Sequence, residues 1–181
     1  FSGKSLISKS NVEIICTTDD PADNLEHHIK LKNDGFATRV LPTFRPDKAV
    51  EINKPTFVPY IKQIGVKSFD ELIKWLSEKI AFFHANGCRL SDHALEYVPF
   101  AVGNAAASFD KIMNGGCLSE EEVNVFKTAV LKHCASEYTR LGWTMQLHIG
   151  ALRNNNTNMF NKLGPDTGFD SINDLCIAEK L

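Results

Sequence analysis

Residues 143–156, WTMQLHIGALRNNN, decide the fold class. Trp143 to Ile149 is a strand by length and aromatic content, and His148 sits between Leu147 and Ile149, so its imidazole faces away from both apolar neighbours. Polar side chains, among them Arg153 and Asn154, gather directly after the apolar run. The same succession occurs three times upstream. VEIIC (12–16) runs into TTDD (17–20), TRVL (38–41) continues through PTF into RPD (45–47), and CRL (88–90) runs into SDH (91–93). Pro42 removes a ladder hydrogen bond, which places a bulge or strand end at that point. Four strands, each followed by helix, argue for parallel βα units, and right-handed crossovers put all four strand ends on one side.

Helix signals fill the intervals. Asp20 before Pro21 predicts a capped helix start, with Leu25, His28, Ile29 and Lys32 on one face and Gly35 as a left-handed stop. Ser68 with Glu71 reads as a capping box ahead of a stripe of Phe69, Leu72, Ile73, Leu76, Ile80 and Phe83 that Gly87 closes. Ala105, Phe109 and Met113 mark another helix, ended by Gly115-Gly116. Ser119 with Glu122 opens a long one, striped by Val123, Phe126, Val130, Cys134, Tyr138 and Leu141 and stopped by Gly142. Both ends of the chain look cut: it opens on Phe1, and Leu181 follows Leu175, Ile177 and Ala178 within an apparent helical segment. The 181 residues are expected to form a single segment.

Composition narrows the function classes. Hydrophobic residues make up 43% and charged residues 23%, as in ordinary water-soluble domains. The net charge of -2 offers no general attraction to nucleic acid or to anionic membranes, and no apolar run reaches spanning length. Five cysteines, Cys16, Cys88, Cys117, Cys134 and Cys176, are odd in number with no CxxC pair, which reads as reduced, mostly buried thiols in a cytoplasmic protein.

At the carboxyl ends of parallel strands the loops converge, and chemistry belongs there. The groups so gathered are Thr18, Asp19 and Asp20; Thr43, Arg45 and Asp47; Asp92 and His93; and His148, Arg153 and Asn154. A guanidinium offers paired donors to a carboxylate, so Arg45 or Arg153 suits an acidic substrate, while imidazole and carboxylate groups suit proton transfer. Plainer readings stand beside these. Asp20 is accounted for as a cap, Arg45 fits a surface loop equally well, and His148 fits a buried, hydrogen-bonded histidine. His27, His28, His84 and His133 fall on helices, away from the strand ends. No HExxH, HxH or CxxC motif is present, so the residues name no metal ligands.

The stretches TTDDPADNLEHH, LPTFRPDKA and WTMQLHIGALRNNNTNMFNKLGPDTGFDSI resemble uronate isomerase, a divergent member of the amidohydrolase superfamily, along nearly the whole chain. The resemblance implies an internal part, about four βα units with additional helices, of a (β/α)8 TIM barrel. It also implies aldose–ketose isomerisation of hexuronates, D-glucuronate to D-fructuronate and D-galacturonate to D-tagaturonate. A divalent metal such as zinc belongs to the full-length family; its HxH pair and catalytic aspartate lie on strands absent here, so no metal and no activity are expected of this segment alone. Carried onto this sequence, His148 is the catalytic or metal-proximal group, Arg45 the carboxylate binder, and Arg153 with Asn154 the strand-end support; Arg45, Arg153, Asn154 and Asp19 are the expected substrate-binding residues. A homo-oligomer acting on a small-molecule hexuronate is implied. The alternatives are a metal-dependent amidohydrolase cleaving C–N bonds on the same barrel, and a non-catalytic sugar-acid-binding module.

Overall fold

A computed structural model describes residues 2–175 and 177–181. A short helix, α1 (Gly3–Lys9), precedes β1 (Ile14–Cys16), α2 (Glu26–Asn33) and β2 (Arg39–Leu41). Two brief helices, α3 (Asp47–Val50) and α4 (Phe57–Gln63), lead to the long α5 (Phe69–Ala85) and to β3 (Leu90–Leu95). Then come α6 (Ala105–Met113), α7 (Glu120–Leu141), β4 (Thr144–Ile149), β5 (Ala151–Leu152), α8 (Thr157–Leu163) and β6 (Ser171–Ile172). The fold is mixed α/β. No helix among the described residues is long and apolar enough to cross a membrane.

The four expected strands pair in chain order and in parallel. β1 runs beside β2 with Ile15 opposite Val40, and β3 beside β4 with Asp92 opposite Gln146 and Ala94 opposite His148. Pro42 ends β2, and pairing resumes two residues on, where Phe44 bridges Asp19 on one side and Ser91 on the other. The Phe44 amide donates to the Leu90 carbonyl, and the Phe44 carbonyl accepts from the Asp92 amide. One residue thus joins the two strand pairs into a continuous parallel array.

Phe44 is also the centre of the core. Its ring packs edge-on against Phe83, Tyr138 and Trp143, so α5 and α7 cover that face of the array through aromatic contacts. The helix stripes behave as their spacing demands, with Leu72, Leu76, Ile80 and Phe83 of α5 and Val123, Phe126, Val130, Cys134 and Tyr138 of α7 all buried. Ser119 and Glu122 form a complete capping box on α7, and Gly142 takes the left-handed stop at φ 68°.

Several local expectations are corrected. Pro21 does not start a helix: α2 begins at Glu26, after buried Leu25 in the left-handed region. Asp20 instead closes a turn, accepting from the Ala22 amide, and its carboxylate is drawn away by the Tyr60 hydroxyl at 2.7 Å and the Lys48 ammonium at 3.1 Å. Ser68 caps α5, yet Glu71 turns to the Lys67 amide, so only half of that capping box forms. Cys88 and Cys134 are buried, whereas Cys16 and Cys117 are exposed, and Cys176 lies outside the described residues. Leu175, Ile177 and Ala178 are not helical. Neither α1 nor the antiparallel β5–β6 pair is signalled by local sequence pattern.

Candidate functional site

Alternation along the strands sorts the polar residues into two sets. On β3, Ser91 and His93 share the face of Phe44 and point toward the helices; Asp92 and Ala94 take the other face. Across the register, Gln146 and His148 of β4 fall on the Asp92 face, and the exposure of both shows that this face is open. Arg45, one residue past Phe44, joins them.

Asp92 is the hub. Its side chain is 10% exposed, and its two oxygens are divided between two strand tips. Arg45 Nη1 stands 3.4 Å from Oδ2, and His148 Nε2 stands 2.7 Å from Oδ1. The imidazole approach lies off the line of a hydrogen bond, since Oδ1 receives none. A nearby carboxylate oxygen favours the tautomer with the proton on Nε2, in which Nδ1 is the basic nitrogen. The Thr18 hydroxyl lies 3.5 Å from Oδ2. Arg45 is held a second time by Asp47, whose Oδ2 accepts from Nε at 2.7 Å while Oδ1 accepts from the Ala94 amide. Burial holds the Asp47 carboxyl above the usual carboxylate range, opposed by its bonds to Arg45 and to Ala94.

Asp19 sits at the neighbouring strand tip and is committed to structure. Its Oδ2 accepts from the Thr17 hydroxyl at 2.6 Å and from the Thr43 amide at 3.1 Å, and its carbonyl accepts from the Arg45 amide. It sets the backbone from which Arg45 projects. His28, placed by its sequence on a helix away from the strand ends, reaches this tip after all, with Nε2 2.8 Å from the Thr17 hydroxyl. Arg153 and Asn154 stand apart from the Asp92 cluster. Arg153 pairs with Asp170 at 2.7 Å, and the Asn154 amide donates to the same carboxylate. Arg153 nevertheless lines a cavity of about 300 Å³ together with Asp47.

His93 belongs to the opposite face. Fully buried, with Nε2 3.2 Å from the Ser91 hydroxyl and its ring against Tyr138, it is part of the core and not of the open cluster. Burial pushes its pKa down to about 4, against the opposing pull of the Asp92 carboxylate. In the unfolded chain the imidazole takes its proton near 6.5. Its contribution to stability is therefore full above that pH, falls as the pH drops, and is lost by about pH 4, some ~3 kcal/mol in all. Urea unfolding at about pH 7 and about pH 4.5 should show this loss, and His93→Gln should reduce the difference by the same amount; an equal pH dependence in the variant contradicts the assignment.

Among the described residues, no three His, Cys, Asp or Glu side chains come together as a metal group. Asp92 already carries Arg45 on one oxygen and His148 on the other. The residues present do not make a metal site by themselves. Strand-end position gathers Asp92 with His93 in the sequence, but gives it no role of its own; that it stands between Arg45 and His148 is added by the structure.

The family model described as glucuronate isomerase matches residues 1–181. Uronate isomerase of Caldicellulosiruptor saccharolyticus is 51% identical over 97% of this chain and 40% of its own length. That of Caldanaerobacter subterraneus is 47% identical over 100% of this chain and 41% of its own. The chain thus spans about two fifths of the length of these curated relatives. The crystal structure of uronate isomerase from Thermotoga maritima superposes with a TM-score of 0.92 at 35% identity, over 98% of this chain and 42% of that one. Glucuronate isomerase from Caulobacter crescentus, at 24% identity and a TM-score of 0.90, shares the fold. With the family match running from the first residue to the last, the chain belongs to the glucuronate isomerase family.

Proposed function

We propose that these 181 residues form a single central segment, about four βα units, of a (β/α)8 barrel in a longer cytoplasmic, homo-oligomeric protein that interconverts hexuronate aldoses and ketoses. D-glucuronate and D-galacturonate are the substrates, D-fructuronate and D-tagaturonate the products. The observation that carries this is the shared contact at Asp92, where Arg45 and His148 from different strand tips meet on the open face of a parallel array. In parallel barrels that end of the strands is where chemistry is done.

Arg45 holds the substrate carboxylate. Asp47 and Asp92 occupy its Nε and one Nη1 position, which fixes the guanidinium plane and leaves the remaining N–H groups for an incoming carboxylate. His148 moves the proton. With Nε2 protonated against Asp92, its Nδ1 takes the proton from C2 and returns it to C1, while the hydroxyl hydrogen on O2 is lost and one is gained on O1. The substrate and product are isomers, so nothing else enters or leaves. Asp19 supports the Arg45 backbone, and Arg153 with Asn154 forms the neighbouring wall. A divalent metal such as zinc is assigned to the remainder of the longer protein.

The test is an assay of the full-length protein on both hexuronates and on amides. Ketose should form from each uronate, and Arg45→Lys should raise KM by about tenfold or more, because a point charge cannot reproduce the lost paired donors. Amide hydrolysis without uronate turnover overturns the proposal.

A further inference from the structure

Asp47 is shared between the Asp92 cluster and the cavity of about 300 Å³, whose walls include Glu51, Lys54 and Arg153 beside aliphatic Ala94 and Leu152. That size is the lower end for small-molecule sites. Its chemistry suits a polyhydroxylated ligand: carboxylates accept from hydroxyls, cationic groups donate to them, and the alkyl walls take the C–H faces.

A buried charge stands behind one wall. Lys127 lies on α7 among Val125, Phe126 and Val130, with a side chain only 4% exposed. Its Nζ donates to Glu51 Oε2 at 2.7 Å and lies 5.5 Å from the centre of the Tyr97 ring. Taking an ammonium and a carboxylate out of water offsets most of what their pairing contributes, and apolar residues of similar volume often do as well. Stability alone therefore does not account for the pair. Its definite effect is to hold Glu51, a residue of the cavity wall, through one of its two carboxylate oxygens.

We infer that Glu51 binds hydroxyls of the hexuronate chain in this cavity, and that Lys127 is the positioning residue that holds it there. This rests on the hexuronate function proposed above. It extends the binding surface from the Asp92 cluster, through Asp47, into the cavity.

The experiment compares the full-length protein with Glu51→Gln, Lys127→Met, Lys127→Arg and the Glu51→Gln/Lys127→Met double variant. Steady-state kinetics and calorimetric binding of D-glucuronate are read together with thermal melting. Glu51→Gln should raise both KM and Kd about tenfold, with kcat within about threefold of wild type. Lys127→Met should reproduce that rise, the double variant should add nothing to it, and Lys127→Arg should restore most of the binding. Unchanged KM and Kd in a folded Glu51→Gln variant overturns the inference even if Lys127→Met fails to fold. A lower melting temperature or lower kcat in Lys127→Met without a change in KM also overturns it, by marking the pair as structural. Wild-type protein that turns over hexuronates while Glu51→Gln is indistinguishable from it defeats this inference alone; wild-type protein that neither binds nor turns over hexuronates defeats the proposed function as well.

Discussion

Asp92→Asn is expected to lower kcat/KM on hexuronates by about 10²–10⁴-fold, the range in which a misplaced or wrongly protonated acid–base group acts. Asparagine keeps the shape of the side chain, but its two ends are no longer alike. Arg45 can only donate, so it draws the amide oxygen to its own side. The amide nitrogen then faces His148 Nε2, which must become an acceptor, and the imidazole proton moves to Nδ1, the nitrogen needed as the base. Arg45 meanwhile loses one of its two anionic anchors and keeps only Asp47. The full-length variant should fold, with secondary structure and melting temperature close to wild type, while turnover collapses. Activity within threefold of wild type would remove Asp92 from the centre of the site and leave Arg45 and His148 as unconnected residues.

Phe44→Ala should have the largest effect on stability, about 3–5 kcal/mol, the usual range for deleting a buried phenylalanine side chain. The ring is fully buried and touches aromatic residues from α5, from α7 and from the position just before β4. Its removal empties the junction of the two strand pairs, where, among the described residues, the backbone β-bridges are those of Phe44 itself. Denaturant unfolding of the full-length protein should show a lower midpoint, and because Arg45 is the next residue, KM for hexuronates should rise in the same variant. Phe44→Leu, which retains much of the apolar volume, should recover most of both losses. A variant as stable as wild type would mean that the core lies elsewhere.

Much of the scaffold was legible because its signals are local. Ser119 and Glu122 cap α7 within one turn, Gly142 stops it by its conformational freedom, and Pro42 breaks β2 because proline lacks the amide the ladder needs. Asp20 was misread for a reason outside local sequence: Tyr60 and Lys48, from α4 and α3, compete for the carboxylate that a helix start would have used. The candidate site was half legible. Strand-end position marked Arg45 and His148, and alternation gave the direction of His148. What joins them was not visible, because Asp92 meets His148 diagonally across two strands whose register is set by packing over the intervening 48 residues of chain. Arg153 looked equivalent to Arg45 in sequence, and only the β5–β6 pair, which brings Asp170 beside it, separates them.

The two-sidedness of β3 constrains how this protein can change over evolutionary time. Ser91 and His93 answer to the aromatic helices while Asp92 answers to Arg45 and His148, and the two sets occupy strictly interleaved positions. Losing or gaining a single codon inside that strand would exchange them, driving an ionised carboxylate into the ring layer and turning a neutral imidazole outward. Amino-acid identities along β3 can drift within each set, but the spacing cannot; indels in this gene are therefore expected to accumulate in the connecting loops and to be purged from the strand.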